Sequence, residues 1–123
     1  FYDIRAAHVP GTVCWKSEGS TDWTVIFEED PLFQLSCLHR FIYVKSVENI
    51  RGAIGGLEKV HGSVSTVGLA ASPTESPEMV KTFARWGVTR ICPLGSMQKP
   101  SLSWRHDGRP ALSDLVTWSD WEI

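Results

Sequence analysis

The densest group of chemically capable side chains lies at residues 104–109, which read Trp-Arg-His-Asp-Gly-Arg. This segment places the imidazole of His106, the carboxylate of Asp107 and two guanidinium groups on a turn that contains a glycine. Such a group can exchange protons with a substrate or bind an anion. The same residues also suit an Asp-Gly turn with solvated charges and a tryptophan beside it. Both interpretations stay open from the residues alone.

The other candidate groups are isolated along the chain. Arg40 follows His39 just before an apolar run, where it can contact an anion or form a salt bridge at the rim. Gly95 and Ser96 can offer backbone N–H groups to a phosphate, but the chain has no GxGxxG, GxxxxGK[ST] or GxSxG motif. The acidic run at residues 28–30 is typical of a solvated strand end. No residue spacing predicts a metal site.

Composition limits the classes of protein that fit the chain. Its 123 residues suffice for one domain, and 12 basic against 14 acidic side chains give a net charge of −2, which argues against a nucleic-acid partner. No apolar run approaches the ~18 residues that span a bilayer. The chain has three cysteines, Cys14, Cys37 and Cys92, and their spacing is not that of zinc ligands. An odd number of cysteines favours a reducing, cytoplasmic environment.

Hydrophobic periodicity predicts the elements that position these groups. Residues 1–21 read as an irregular lead-in. Runs rich in β-branched and apolar residues predict four strands, at residues 23–27, 40–44, 63–71 and 88–93. Steps of three and four predict helices that begin near Ser46, Ser76 and Ala111. Three glycines inside the first of these helices predict close packing rather than a break; they are Gly52, Gly55 and Gly56.

The order of strands and helices predicts an α/β fold, a single unit over residues 1–123 with a small, mostly parallel open sheet and flanking helices. Ligands of such sheets bind beyond the carboxyl ends of the strands. This rule selects three segments as candidate sites, at residues 71–76, 94–100 and 104–109.

Two stretches of the sequence resemble a known family. One is WGVTRICPLGSM at residues 86–97, followed by WRHDG at 104–108 and LSDLVTW at 112–118; the other is LHRFIYV at 38–44. Residues 22–123 are similar to the carboxyl-terminal end of the LuxC-type acyl-CoA reductases, which are relatives of the aldehyde dehydrogenases. The resemblance implies an oxidoreductase that reduces a fatty acyl thioester to an aldehyde with NADPH, on the carboxyl-terminal part of an aldehyde-dehydrogenase-like catalytic domain.

The resemblance also implies how the active site is divided. The nucleophilic cysteine and most of the NADPH site of the family lie upstream of this region, so none of the three cysteines is assigned as the nucleophile. The active-site wall is expected to include Trp104, His106, Asp107 and Arg40. Aldehyde dehydrogenases carry a ribose-binding glutamate just before the strand at 40–44, whereas residues 35–38 here are Leu-Ser-Cys-Leu.

The leading hypothesis is therefore the carboxyl-terminal part of a larger reductase, inactive alone, as the start at Phe1 rather than at a methionine suggests. Its expected partners are a fatty acyl-CoA substrate and the rest of the reductase chain, with homo-oligomers forming if apolar faces are exposed. The alternative is a stand-alone α/β binding module for an anionic ligand or a protein partner.

Overall fold

The structure, a computed structural model, describes residues 2–36, 39–109, 115, 117 and 119–122. Its contacts group the chain into two compact units, residues 1–60 and residues 61–123. The expected single unit over residues 1–123 stays a prediction. The first unit contains helix α1 (Tyr2–His8), strands β1 (Val13–Lys16), β2 (Thr24–Glu28) and β3 (Phe41–Lys45), and helix α2 (Ile50–Gly56). The second contains β4 (Thr66–Leu69), α3 (Ser76–Arg85) and β5 (Arg90–Pro93).

The first unit is built on a three-stranded sheet with β2 in the centre. β2 pairs with β1 in antiparallel and with β3 in parallel orientation, and Ile26 at its middle is fully buried. The predicted strands at 23–27 and 40–44 are confirmed to within one residue. β-Branched and aromatic side chains favour both strands because they pack well on a pleated surface.

The predicted irregular lead-in is wrong at residues 2–8 and 13–16, which form α1 and β1. A helix of seven residues is too short to be stable alone in water. Two ion pairs join it to the sheet: Lys16 Nζ lies 2.5 Å from the Asp3 carboxylate, and Arg5 Nε lies 2.5 Å from Glu28 Oε1. These contacts bridge 13 and 23 residues of chain, so local sequence patterns did not indicate them.

Helix α2 begins later than predicted, because Asn49 rather than Ser46 caps it. The Asn49 side-chain oxygen accepts hydrogen bonds from the backbone N–H groups of Arg51 and Gly52, at 3.0 and 3.1 Å. Close packing at a glycine is confirmed for Gly56 only: a β-carbon there would lie 1.9 Å from the carbonyl oxygen of Pro31. At Gly55 a β-carbon would meet nothing within 4 Å.

The second unit contains a βαβ arrangement in which α3 connects the parallel strands β4 and β5. α3 confirms the predicted helix, with proline in its first turn, the buried Phe83 on its inner side and Gly87 (φ +104°) after its end. In the described residues the strands form two sheets, of three and two strands, rather than the predicted one. The helix expected from Ala111 falls largely outside the described residues.

Candidate functional site

A pocket of about 330 Å³ lies where β4 and β5 end and α3 begins. The predicted segment 71–76 contributes to its lining at the carboxyl ends of these strands, and binding of a ligand there stays a prediction. Its lining side chains are apolar except for the hydroxyl of Ser76 and the thiol of Cys92; the residues are Leu69, Ala70, Ala71, Ser76, Val80, Ile91, Cys92 and Pro93. This chemistry suits a hydrocarbon group.

The segment after β5 folds back over the strands and is held there by Arg90. The Arg90 guanidinium donates hydrogen bonds to the carbonyl oxygens of Met97 and Ser96, at 2.7 and 2.9 Å. The Met97 side chain packs on Gly68 of β4, where a β-carbon would lie 2.7 Å from its sulfur atom. The missing side chain of Gly68 therefore leaves room for the Met97 side chain against the strand.

Residues 104–109 lie near the amino end of β5, which corrects the expectation that they lie beyond its carboxyl end. The Trp104 ring centroid is 5.3 Å from the Arg90 guanidinium carbon, and a β-carbon on Gly108 would lie 3.5 Å from the Thr89 methyl group. β5 is only about 10 Å long. The connection from Leu94 is therefore long enough to run back along the strand.

Trp104, His106 and Asp107 are brought together as the sequence predicted. The rings of Trp104 and His106 lie 4.8 Å apart, and His106 Nδ1 lies 3.0 Å from Asp107 Oδ2. Asp107 has a left-handed backbone (φ +49°), which short polar residues tolerate in a tight turn. The His106 and Asp107 side chains are 71% and 60% exposed, so both groups are in contact with solvent.

Arg40, the fourth predicted wall residue, belongs to the first unit. Its Nη1 atom lies 3.5 Å from the exposed Asp22 carboxylate, and its carbonyl oxygen accepts a 2.9 Å hydrogen bond from the Thr24 N–H. Arg40 thus forms the rim salt bridge considered for it, and its place in an active-site wall stays a prediction.

Sequence reasoning missed the most strongly buried charge of the described residues. Glu28 was expected in a solvated acidic run, but it is only 1% exposed. Its carboxylate accepts hydrogen bonds from Arg5 Nε at 2.5 Å, from Gln34 Nε2 at 2.8 Å and from Lys45 Nζ. Lys45 Nζ also lies 3.0 Å from Asp30. The sequence did contain a signal for this burial. In β2, Glu28 lies two residues after the buried Ile26, so both side chains are on the same side of the strand.

The surroundings of Glu28 have opposing effects on its pKa. Burial raises the pKa of this carboxyl, whereas the hydrogen bonds from Arg5 and Lys45 lower it by more, and the net pKa lies below its ordinary value of 4.5. Burial likewise raises the pKa of Asp30, and the hydrogen bond from Lys45 lowers it to a net value below 3.8. Both carboxylates therefore stay ionised in the folded protein at neutral pH.

These pKa values predict that the protein loses stability in acid. A carboxyl group with a lowered pKa in the folded state binds protons more readily when unfolded, so its contribution is complete above its ordinary pKa. That contribution is lost as the pH falls from about 4.5 through the folded-state pKa of Glu28. Urea unfolding between pH 7 and pH 3 measures the effect. Glu28→Gln should flatten this pH dependence, and an unchanged slope would contradict the assignment.

Two smaller pockets, of about 170 and 300 Å³, lie on either side of Lys45 in the first unit. Both are lined by Phe33 and Lys45. Because Glu28 and Asp30 already bind the Lys45 ammonium group, these pockets offer mainly apolar surface to a ligand.

The two described cysteines, Cys14 and Cys92, are free thiols that lie in strands. Cys14 lies in β1 and Cys92 in β5, where the Cys92 thiol lies 3.8 Å from the Val67 carbonyl oxygen. Cys37 lies outside the described residues. Among the described residues no group of three His, Cys, Asp or Glu side chains is arranged to hold a metal ion. Within the same residues, no helix has the length and apolar character needed to cross a membrane.

Together these features define a mixed α/β protein with small open sheets and flanking helices. The sequence profile of the LuxC acyl-CoA reductases matches residues 2–118. The chain therefore belongs to the LuxC acyl-CoA reductase family, which confirms the resemblance noted in its sequence. Comparisons with curated proteins and with solved structures give no significant match.

Proposed function

We propose that these residues form part of a cytoplasmic, NADPH-dependent fatty acyl-CoA reductase that converts an acyl thioester to an aldehyde. The observation that carries the proposal is the family match over residues 2–118, nearly the whole chain. In this proposal, the nucleophilic cysteine and most of the NADPH site lie outside the 123 residues. These residues form the carboxyl-terminal part of an aldehyde-dehydrogenase-like catalytic domain.

The pocket at the ends of β4 and β5 is proposed to hold the acyl chain. Leu69, Val80 and Ile91 line it with branched hydrocarbon side chains, and no charged side chain is among its lining residues. Each methylene group that moves from water into such a lining contributes about 0.8 kcal/mol. Acyl chains are uncharged, so they match the apolar side chains of this pocket.

None of the lining residues is basic, so the pocket offers no guanidinium or ammonium group to the phosphates of a dinucleotide. When bound elsewhere in the enzyme, NADPH supplies the hydride that reduces the thioester. No part of that step is assigned to the residues of this pocket.

Trp104, His106 and Asp107 are proposed to form one wall of the active site, with Arg40 as a further candidate. Asp107 orients the His106 imidazole through the 3.0 Å contact, and the exposed ring can carry a proton between solvent and a bound group. The Trp104 indole N–H is buried and has no acceptor in the part of the chain that the structure describes.

The 123-residue chain alone is expected to show no fatty acyl-CoA-dependent oxidation of NADPH.

In a longer reductase that contains these residues, Val80→Asp should raise KM for long-chain acyl-CoA at least tenfold because it places a charge in the acyl pocket. His106→Ala should lower kcat by about 100-fold with little change in KM. Both variants are measured by NADPH absorbance.

Lys81→Ala is the matched control, since Lys81 is an exposed residue of α3 next to Val80 and does not line the pocket. It should leave both constants unchanged. Turnover by the 123 residues at an enzymatic rate would refute the proposal that the nucleophilic cysteine and most of the NADPH site lie outside them. A KM that is unaffected by Val80→Asp would refute the acyl pocket, and unchanged kinetics for His106→Ala would reduce the loop to a structural role.

A further inference from the structure

Arg90 connects β5 to the turn that holds His106, although the two residues are well separated in the chain. The backbone of Arg90 pairs with Thr66 of β4, and its N–H group donates a 3.0 Å hydrogen bond to the carbonyl oxygen of Ser65. The main chain of Arg90 is therefore held by the two-stranded sheet, and its side chain extends from a fixed point.

The Arg90 guanidinium has two kinds of partner. It donates hydrogen bonds to the carbonyl oxygens of Met97 and Ser96, and its central carbon lies 5.3 Å from the centroid of the Trp104 ring. A guanidinium can make both kinds of contact, because its N–H groups lie in its plane while its face can contact an aromatic ring. In the part of the chain that the structure describes, no carboxylate forms an ion pair with Arg90. Its contacts therefore hold the segment from Ser96 to Trp104 rather than neutralise an acid.

The Trp104 ring extends this constraint to His106. The centroids of the two rings lie 4.8 Å apart, and their planes are inclined by 56°. The other contact of the imidazole is with Asp107, whose Oδ2 atom lies 3.0 Å from His106 Nδ1. Because the His106 side chain is otherwise open to solvent, its orientation depends on these two contacts.

We propose that Arg90 is a positioning residue that fixes the orientation of the His106 imidazole through the ring of Trp104. Its consequence for catalysis rests on the proposed function, in which His106 carries a proton to or from a bound group. Proton transfer requires the imidazole to lie within hydrogen-bond reach of its partner, so a ring that is not held adopts the productive orientation less often. Loss of the guanidinium therefore lowers kcat, while the pocket that holds the acyl chain keeps its affinity.

Steady-state kinetics of a longer reductase that contains these residues test the proposal. Arg90→Ala should lower kcat about tenfold and change KM for acyl-CoA by less than about twofold, because the imidazole is still present but no longer held. The same substitution in the His106→Ala variant should have no further effect on kcat, since Arg90 acts through that ring. Arg85→Ala is the matched control: Arg85 is an exposed arginine at the end of α3, and its loss should leave both constants unchanged.

Histidine-selective NMR of the same enzyme measures the position of the imidazole independently of activity. The His106 signals, identified by their loss in His106→Ala, should be displaced from those of free histidine by the ring current of Trp104. Arg90→Ala should return them towards the free values. If Arg90→Ala does not fold, Arg90→Lys should lower kcat about fivefold and shift the signals in the same direction, since one ammonium group cannot hold both carbonyl groups and the ring.

An equal fall in kcat on loss of Arg90, with and without His106, would overturn the proposal, because it would show a general structural role. Unchanged His106 signals in the folded Arg90 variants would overturn it as well. Unchanged kinetics for His106→Ala would instead refute the proposed function of the turn, and the NMR signals would still decide whether Arg90 positions the ring.

Discussion

Gly56→Ala is expected to destabilise the first unit by about 3 kcal/mol. The added β-carbon would lie 1.9 Å from the carbonyl oxygen of Pro31 and 2.7 Å from its carbonyl carbon. Both atoms belong to the backbone, so no side chain can rotate away to relieve the contact. The segment after Pro31 must then move, which also breaks the 2.9 Å hydrogen bond from the Phe33 N–H to the Gly56 carbonyl oxygen.

Urea unfolding followed by tryptophan fluorescence measures this loss of stability. Gly55→Ala is the matched control, because a β-carbon at the neighbouring position meets nothing within 4 Å. It should leave the free energy of unfolding unchanged or raise it by up to ~1 kcal/mol, since alanine favours a helix more than glycine does. Equal effects of the two substitutions would show that helix propensity, rather than the contact with Pro31, determines the stability at Gly56.

Glu28→Ala is expected to lower the free energy of unfolding by about 3 kcal/mol. The substitution removes the acceptor that Arg5, Gln34 and Lys45 share, and it leaves the Lys45 ammonium group largely buried with Asp30 alone as its counter-ion. It also releases α1 from the sheet, because the Arg5 contact is one of two ion pairs that hold this helix. We therefore expect a loss of helical circular dichroism before the sheet unfolds.

Glu29→Ala is the control for this prediction, since Glu29 is the exposed neighbour in the same acidic run. Its effect should remain below about 0.5 kcal/mol. Glu28→Gln keeps the size of the side chain while removing the charge, so it separates packing from electrostatics. Similar small effects of Glu28→Ala and Glu29→Ala would mean that the whole run is solvated in solution.

Local sequence patterns located the elements whose stability depends on neighbouring residues. α3 has a proline in its first turn, an apolar stripe with Phe83 and a glycine at its end, and it begins at the predicted residue. The strands β2 and β3 consist of consecutive β-branched and aromatic residues, which favour strands in any sheet. In contrast, α1 depends on ion pairs with residues 13 and 23 positions further along the chain, which no local pattern indicated.

The candidate site was predictable in its composition but not in its position. The sequence placed Trp104, His106 and Asp107 in one short turn, so their proximity follows from the chain itself. Their location near the amino end of β5 depends on hydrogen bonds from Arg90 to two carbonyl groups and on the packing of Met97 against Gly68. The pocket proposed for the acyl chain likewise exists only because β4, β5 and α3 meet at one edge.

The sequence by itself determined the α/β class, the family and the residues that form the His106–Asp107 turn. The tertiary structure alone decided that Glu28 is a buried, paired carboxylate rather than a solvated one, and that one glycine of α2 is required for packing. The physical reason is the range of the interactions involved. Propensity and periodicity act over a few residues, whereas burial and ion pairing depend on which distant segments the fold brings into contact.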